Sequence, residues 1–463
     1  MASQTLDGTA LTALRKTFTG TLLTSEDPPY NETRTLFNAM IDRRPGLIAL
    51  CRSEEDVIAA IRFGRAMDLE IAVRGGGHSV AGTSTTDGGL VVDLREMNTV
   101  TVDPGARTVR VGGGATMRDL DAATQPYALA TTGGRVSTTG VGGFVLGGGS
   151  GWLERSFGLA CDNLLAADVV TADGSVLRTS PHSEPELFWA LHGGGGNFGA
   201  VTSLTLRLHP LPALTAALLI WRPESGPEVL RAYRDFMEGA PDEVGGGFIY
   251  LTATDEEFVP EELVGRLAFA VLITYTGTQA QARDVISPML GLEPDGQMVA
   301  EMPYAQMQSM LDDPPGYRNY WSAEHLDDFP DEAVDLFCAR AEDMIVPSPS
   351  QHVLFPQGGA VARNDGEFPV PWRSAPWTVH PFGLWDDPAD DARARYWARA
   401  MRSDVQPWAN GAVYLNFIGQ EGEERVIAGF GPENYRRLAK VKARYDPDNV
   451  FCLNHNIKPA AEG

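Results

Sequence analysis

The sequence predicts an α+β fold with two domains and a separate C-terminal segment. Its 463 residues exceed the length that one hydrophobic core usually serves. Long glycine-rich stretches and short β-α-β elements occupy the first half of the chain, whereas acids and prolines increase after residue 210 and strands alternate with helices there. We therefore expect a first domain at 1–210, a second domain with an antiparallel sheet at 211–409, and a last segment at 410–463.

The composition argues against several classes of protein. The net charge is −24, from 37 basic and 61 acidic residues, which opposes binding to nucleic acid and to anionic membranes. The sequence contains no run of about 18 apolar residues, and its N-terminus lacks the regions of a signal peptide, so we expect a cytoplasmic protein. The four cysteines are scattered without a C-x-x-C pair, which disfavours a disulfide framework or a zinc site.

The elements of the first domain follow from residue patterns. Residues 1–45 are expected to be helical. Ser53 and the three acids after it predict the start of a helix, because a serine cap and early acids suit the helix dipole. A second helix is expected at 186–191. Short apolar or alternating runs predict strands at 47–51, 71–73, 90–94, 100–102, 108–111, 167–171, 176–177 and 200–208.

The second half alternates strands and helices. Its boundary is placed at the proline-containing stretch 209–212. Strands are predicted at 215–221, 247–252, 267–275, 352–355 and 378–382. Helices are predicted at 228–237, 280–290, 331–344 and 390–401. In the last segment, residues 413–417 are expected to form a strand and residues 432–444 a helix.

Two glycine clusters are candidate ligand sites. Three glycines at 75–77 follow a buried strand and precede His78, and such a turn presents free N–H groups that suit phosphate. A plain turn with a surface histidine is the alternative. The stretch 133–151 is expected to be extended backbone around a flat or phosphorylated ligand, since its interspersed apolar residues disfavour a flexible linker. Neither cluster fits the strand–GxGxxG–helix pattern of a Rossmann domain.

Several stretches together resemble one family, the FAD-linked oxidases of the vanillyl-alcohol-oxidase type, in the berberine-bridge-like and 6-hydroxy-D-nicotine-oxidase-like branch. The matching stretches are 74–82, 133–151, 157–165, 193–199 and 445–457. The resemblance implies a PCMH-type FAD-binding domain in two subdomains, followed by an α+β substrate domain with an antiparallel sheet. It also implies that the C-terminal segment returns to pack on the FAD domain.

The resemblance implies a covalently bound FAD. Its 8α-methyl group would be bonded to the imidazole of His78, which is a competent nucleophile when neutral. The N–H groups of Gly75, Gly76, Gly77 and Ser79 would meet the pyrophosphate. Other residues implied in cofactor binding are Arg74, Gly82, Gly134, Ser137, Thr138, Gly140, Gly142, Gly143, Gly149, Val201, Asn454 and Asn456. Many relatives add a second link through a cysteine in the second glycine cluster. Residues 137–139 contain no thiol, so a single link is expected and Cys161 is not expected to form another.

The resemblance also implies a reaction. The family oxidises a C–H next to oxygen or nitrogen by hydride transfer to flavin N5, and O2 takes the electrons to give hydrogen peroxide. Tyr414 is the candidate base and Asn416 its positioning residue, although Phe417 stands where relatives often have a second tyrosine. The alternative is that Tyr414 only packs on the flavin. His192 is expected to be structural. His352 and His380 lie on predicted strands, where core packing is the default and substrate contact the alternative.

The expected substrate is a small organic molecule, such as an alkaloid-like amine, a sugar or a secondary-metabolite alcohol. Metal ions, nucleic acid and membranes are not expected as partners, and the protein is expected to be a monomer or a homodimer. One alternative is a flavin-dependent oxygenase or multi-step biosynthetic enzyme of the enterocin-pathway kind. Another is a flavoprotein that sequesters a drug without turnover, and a third is a dehydrogenase that uses an acceptor other than O2.

Overall fold

The chain begins with a small, mostly parallel sheet that carries the first glycine turn. The computed structural model describes residues 7–363 and 366–461. The first strands are β1 (Thr21–Leu23), β2 (Leu47–Leu50), β3 (Ile71–Arg74) and β4 (Leu90–Asp93), in the spatial order β1-β2-β4-β3. The helices here are α1 (Gly8–Thr17), α2 (Tyr30–Thr33) and α3 (Glu54–Ala66). Ser53 caps α3 by accepting the Asp56 N–H, as expected. Strand β1 lies in the stretch predicted to be helical, so that part of the prediction is wrong.

A second, antiparallel sheet completes the first half of the chain. The strands of this region are β5 (Val100–Asp103), β6 (Thr108–Gly112), β7 (Leu129–Ala130), β8 (Leu164–Val170), β9 (Val176–Thr179), β10 (Ala200–Arg207) and β11 (His209–Pro210). Five of these strands form a sheet in the order β5-β6-β10-β8-β9, and β7 pairs with β11. The helices are α4 (Met117–Thr124), α5 (Val141–Leu146), α6 (Glu154–Phe157) and α7 (Pro185–Ala190). The strands predicted between residues 100 and 208 are confirmed.

An eight-stranded sheet dominates the second half. Its strands are β12 (Thr215–Trp221), β13 (Val244–Thr252), β14 (Leu267–Tyr275), β15 (Gly296–Glu301), β16 (Arg318–Trp321), β17 (Glu324–Leu326), β18 (Gln351–Pro356) and β19 (Trp377–Trp385). All the pairings in this sheet are antiparallel, which confirms the predicted sheet type. Three of these strands, β15, β16 and β17, were not predicted, because they are short or poorly alternating.

Each face of the large sheet packs against a different partner, because side chains alternate along a strand. Phe248 and Tyr250 of β13 join one core with the helices, whereas Ile249 between them joins a second core that reaches the first half of the chain. The helices of this half are α8 (Gly226–Gly239), α9 (Gln279–Val285), α10 (Ser287–Leu290), α11 (Tyr304–Gln308), α12 (Asp331–Ala341), α13 (Ala360–Arg363) and α14 (Asp391–Val405). The helix predicted at 280–290 is divided into α9 and α10 beside Pro288, which lacks an N–H to continue the helix.

Two other sequence expectations are wrong. Within 133–151 the backbone is not extended throughout, since α5 forms there. Its apolar side chains are buried, which offsets the low helix propensity of Gly142 and Gly143, and Gly142 lies close to the Gly113 carbonyl.

Residues 413–417 do not form a strand. Instead, Leu415–Phe417 is a single 3-10 turn, because this segment crosses the cavity described below and pairs with no sheet in the described residues.

The C-terminal segment packs back on the first half of the chain. Its helices are α15 (Glu423–Phe430) and α16 (Pro432–Tyr445), and α16 confirms the predicted helix. Val413, Leu438 and Ile457 share a core with Val109 and Val111 of β6. Among the described residues, no helix is both long enough and apolar enough to cross a membrane.

Candidate active site

A deep cavity lies where the first half of the chain, the large sheet and the C-terminal segment meet. Together with the open solvent at its mouth, it contains about 1580 Å³ of space that protein atoms do not fill. Its lining comes from the 75–80 turn, the second glycine cluster, the 193–197 loop, strands β16, β18 and β19, and the turn at 414–418. A cavity at a junction of this kind is a typical location for a cofactor and its substrate.

The first glycine turn presents a row of unpartnered donors. None of the N–H groups of residues 75–80 donates a hydrogen bond within the described part of the chain. Gly77 has φ of +74°, and a Cβ on Gly76 would lie only 2.3 Å from the Gly140 nitrogen. Both positions therefore require glycine. The two glycine clusters meet here and leave bare backbone against the cavity, an arrangement that suits an anionic ligand.

His78 is held in one orientation at the edge of this turn. Its Nε2 lies 2.8 Å from the Thr138 hydroxyl, and its ring stacks on Phe37 with centroids 4.1 Å apart. Burial lowers the pKa of His78 to about 4, so the imidazole is neutral at pH 7. Nδ1 has no hydrogen-bond partner among the described residues. The contact with Thr138 thus leaves Nδ1 as the available ring nitrogen.

The structure brings most of the predicted site residues to the cavity. Those that line it are Gly75, Gly76, Gly77, His78, Ser79, Gly134, Gly140, Gly143, Tyr414, Asn416 and Asn454. The others are not part of the lining: Arg74, Gly82, Ser137, Thr138, Gly142, Gly149, Val201 and Asn456. Arg74 is fully buried and pairs with Asp93 at 3.5 Å, so its side chain supports the turn from behind. Ser137 binds the Asp312 carboxylate through its N–H and its hydroxyl.

Tyr414 and Asn416 form a linked pair in the cavity wall. Asn416 donates from Nδ2 to the Tyr414 hydroxyl at 3.0 Å, and the Tyr414 N–H donates to Nε2 of His325 at 3.1 Å. Burial raises the pKa of Tyr414 well above its usual value, against the opposing effects of Asn416 and the Arg135 charge. At neutral pH, Tyr414 is therefore a phenol that can donate a hydrogen bond but cannot accept a proton readily.

The cavity lining also contains polar groups that were not predicted from the sequence. The Arg135 guanidinium lies 3.8 Å from the Phe355 ring centroid and pairs with Glu154 at 3.3 Å. Asp313 is buried and accepts one hydrogen bond, from Gln351 at 3.3 Å. No described cation lies within ion-pair distance of Asp313. No local motif marks these residues. Asp313 reaches the cavity because the loop before β16 places it beside Gln351 of β18.

Asp313 should make the protein less stable as the pH rises from about 4 to about 8. Burial and the neighbouring Asp312 raise the pKa of Asp313 to about 8. Between the ordinary pKa of an aspartate and pH 8, the Asp313 carboxyl is ionised in the unfolded chain but protonated in the folded chain. The free energy of unfolding therefore falls as the pH rises. We expect Asp313→Asn to lose about 4 kcal/mol less stability than the wild type between pH 4.5 and pH 8.

Denaturant unfolding at the two pH values measures this difference. The same substitution at exposed Asp255 is the control and should leave the pH dependence unchanged. Parallel stability curves for Asp313→Asn and the wild type would contradict the expected proton uptake at Asp313.

Comparison with known proteins agrees with this geometry. A family model described as an FAD binding domain matches residues 45–180, and one described as berberine and berberine like matches residues 413–458. The (R)-6-hydroxynicotine oxidase of Paenarthrobacter nicotinovorans is 30% identical to this chain, and the match covers 95% of this chain and 97% of that protein. An uncharacterised FAD-linked oxidoreductase of Bacillus subtilis is 28% identical, with coverage of 95% and 97%.

Solved structures show the same fold. The crystal structure of 6-hydroxy-D-nicotine oxidase from Arthrobacter nicotinovorans has a TM-score of 0.85 at 27% identity, covering 96% of this chain and 99% of that one. BBE-like 1 of Physcomitrella patens has a TM-score of 0.87 at 20% identity, covering 98% of this chain and 100% of that one. The expected α+β fold of the PCMH type is thereby confirmed. The chain belongs to the FAD-linked oxidoreductases of the PCMH and berberine-bridge-like family.

Proposed function

We propose that this FAD-linked oxidoreductase is an oxidase whose flavin is covalently attached to His78. Its substrate is a small alcohol, amine or sugar, and its second substrate is O2. The observation that carries the proposal is His78 itself, a neutral imidazole with an available Nδ1 beside a row of unpartnered N–H groups. The similarity to (R)-6-hydroxynicotine oxidase supports an oxidase reaction on a small molecule.

The residues of the cavity fit the cofactor. The N–H groups of residues 75–79 offer hydrogen bonds to a pyrophosphate, and the absence of side chains at 75–77 lets it approach the backbone. Gly143 leaves open space for a ring system, since a Cβ there would contact nothing within 4 Å, and Gly134 and Gly140 also line the cavity. Residues 1–210 would thus hold the cofactor, 211–409 would supply the substrate wall, and 410–463 would close the cavity.

A single covalent link is proposed. Nδ1 of His78 is the nucleophilic atom, because Thr138 engages Nε2. Cys161 is fully buried in a cluster with Trp372 and Tyr414, and burial raises the pKa of its thiol well above its usual value. A protonated thiol without access to the cavity is a poor nucleophile.

Residues that line the cavity have separate roles in the proposed reaction. When bound, FAD supplies the two-electron oxidant and passes the electrons to O2. The aromatic wall of Phe355, Phe382 and Phe417 excludes water from the substrate. The Tyr414 phenol, aligned by Asn416, donates a hydrogen bond to a substrate heteroatom. The Arg135 charge is balanced by Glu154, so it adds no net charge to this wall.

The proposal is tested with a panel of small amines, alcohols and sugars that includes (R)-6-hydroxynicotine, benzyl alcohol and glucose. We expect at least one compound to bleach the flavin absorbance anaerobically, and oxygen then to restore it with one hydrogen peroxide formed per turnover. Labelled oxygen should not enter the product. Incorporated label would indicate an oxygenase. A flavin that stays oxidised with every compound, or one that is reduced but reacts slowly with O2, would also contradict the oxidase.

A further inference from the structure

His380 stands on the cavity side of the large sheet. It lies on β19 opposite Val353 of β18, and both residues line the cavity. Val379, its neighbour on β19, points the other way into the core beneath the helices. The alternation of side chains along the strand therefore directs His380 at the substrate wall.

Two contacts fix the ring and its tautomer. Nδ1 lies 2.8 Å from the Ser322 carbonyl. A carbonyl oxygen only accepts, so Nδ1 carries the proton and donates it. Nε2 consequently bears a lone pair, and none of the residues in the described part of the chain donates to it. The ring stacks on Phe417 with centroids 4.0 Å apart and planes 12° apart, which holds it beside the Tyr414–Asn416 pair.

Three of the other titratable groups that line the cavity already carry a proton at neutral pH. Tyr414 is a protonated phenol, and Arg135 is a cation paired with Glu154. The pKa of Asp313 is raised to about 8 by burial, so it is mostly protonated at pH 7. His78 is committed to the cofactor in the proposed function. His455 is the other neutral imidazole, and the test below includes it.

The charged and titratable groups around His380 favour its neutral form. Burial lowers the pKa of His380 to about 3. The hydrogen bond to the Ser322 carbonyl raises this pKa, whereas the positive charge of Arg135 lowers it further. His325 of β17 and His352 of β18 are also near enough to interact with His380, and burial keeps both of them neutral. The lone pair on Nε2 is therefore present throughout the neutral pH range. The low pKa also makes the ring a weak base, so it takes a proton only as the departing hydride acidifies the substrate O–H or N–H.

We propose that Nε2 of His380 is the general base of the reaction, in place of Tyr414. It takes the proton from the O–H or N–H of the substrate while the adjacent C–H bond gives its hydride to the oxidant of the proposed function. An alcohol becomes a carbonyl compound, and an amine becomes an imine. The proton then passes from Nε2 to solvent, and Tyr414 acts as a hydrogen-bond donor. This inference rests on the proposed function.

The test compares His380→Phe, His380→Gln and His455→Gln with the wild type. The Phe variant keeps a flat ring to stack on Phe417 but has no acceptor. The control is His352→Gln, a buried histidine of the neighbouring strand that bonds the Phe337 carbonyl on the other face of the sheet. The substrate is the panel compound that reduces the wild type fastest. Anaerobic stopped-flow measurement gives the rate constant of flavin reduction and the dissociation constant of the substrate.

We expect both His380 variants to lower the reduction rate about 10²–10⁴-fold, to change substrate binding only a few-fold, and to lose the solvent isotope effect on reduction. The flavin content and the melting temperature check the fold, and His352→Gln should reduce at the wild-type rate. A His380→Phe protein with its full flavin content and a wild-type reduction rate would overturn the proposal. A large loss in His455→Gln alone would also overturn it and would assign the base to His455.

A second measurement does not depend on turnover. Nitrogen NMR of the ¹⁵N-histidine-labelled protein, with His380→Phe used to assign the signal, reports the tautomer. We expect a neutral ring with the proton on Nδ1 at pH 7. A proton on Nε2, or a charged ring, would overturn the proposal. If no panel compound reduces the wild-type protein, the proposed function fails and this base fails with it. If the wild type and His380→Phe are reduced equally, only the base fails.

Discussion

His78→Ala should abolish covalent attachment of the flavin. The imidazole is the nucleophile in the proposed bond, and alanine offers no atom that could replace it. The glycine turn should survive, because Gly76 and Gly77 keep their backbone conformation and their unpartnered N–H groups. We therefore expect weak, reversible binding of FAD to the variant. Protein precipitated in acid should be yellow for the wild type and colourless for His78→Ala.

Peptide mass spectrometry of the washed pellet identifies the attachment site. In the wild type, the peptide that contains His78 should carry one FAD-derived mass. His455→Gln is the matched control, since it alters another histidine of the same cavity and should keep the label in full. A wild-type pellet without flavin would contradict the covalent link, and a label on the peptide of Cys161 would contradict the single attachment.

Lys442→Ala should strongly destabilise the protein, because it removes one partner of a buried ion pair in the C-terminal segment. Both Lys442 and Asp446 are fully buried. Lys442 Nζ donates to Asp446 at 2.5 Å, to the Asn197 carbonyl at 2.6 Å and to the Phe451 carbonyl at 3.0 Å. Removing the amine leaves two carbonyls without this donor and a buried carboxylate without its counter-charge, held among the described residues only by the N–H groups of Val450 and Phe451. We expect the free energy of unfolding to fall by about 3–5 kcal/mol.

Lys442→Ala should also loosen the 193–197 loop, which lines the cavity. Asn197 lines it and accepts the Ile457 N–H at 3.0 Å, so the ion pair helps to hold the 193–197 loop to the C-terminal segment. Denaturant unfolding measures the loss of stability. Lys440→Ala, two residues away on the exposed side of α16, is the control and should change stability by less than about 0.5 kcal/mol. A change below about 1 kcal/mol in Lys442→Ala would contradict the structural importance of the pair.

Local chemistry explains the predictions that held. The cap at Ser53, the strand segments of the second half and the helix after Pro432 depend on residues within a few positions of one another. The same applies to the turn that ends in His78. Expectations failed where packing overrode local preference, as in α5, where buried apolar side chains stabilise a helix despite two glycines.

The sequence by itself determined the α+β fold, the strand–glycine–histidine turn and the family to which the chain belongs, because each depends on short motifs. Only the tertiary structure decided which side chains share the cavity. His78 and Thr138 lie 60 residues apart in the chain, and Asn416 lies 273 residues from the Gly143 carbonyl it contacts. Their meeting depends on the register of the large sheet and on the return of the C-terminal segment. A one-residue shift in that register would turn His380 away from the cavity.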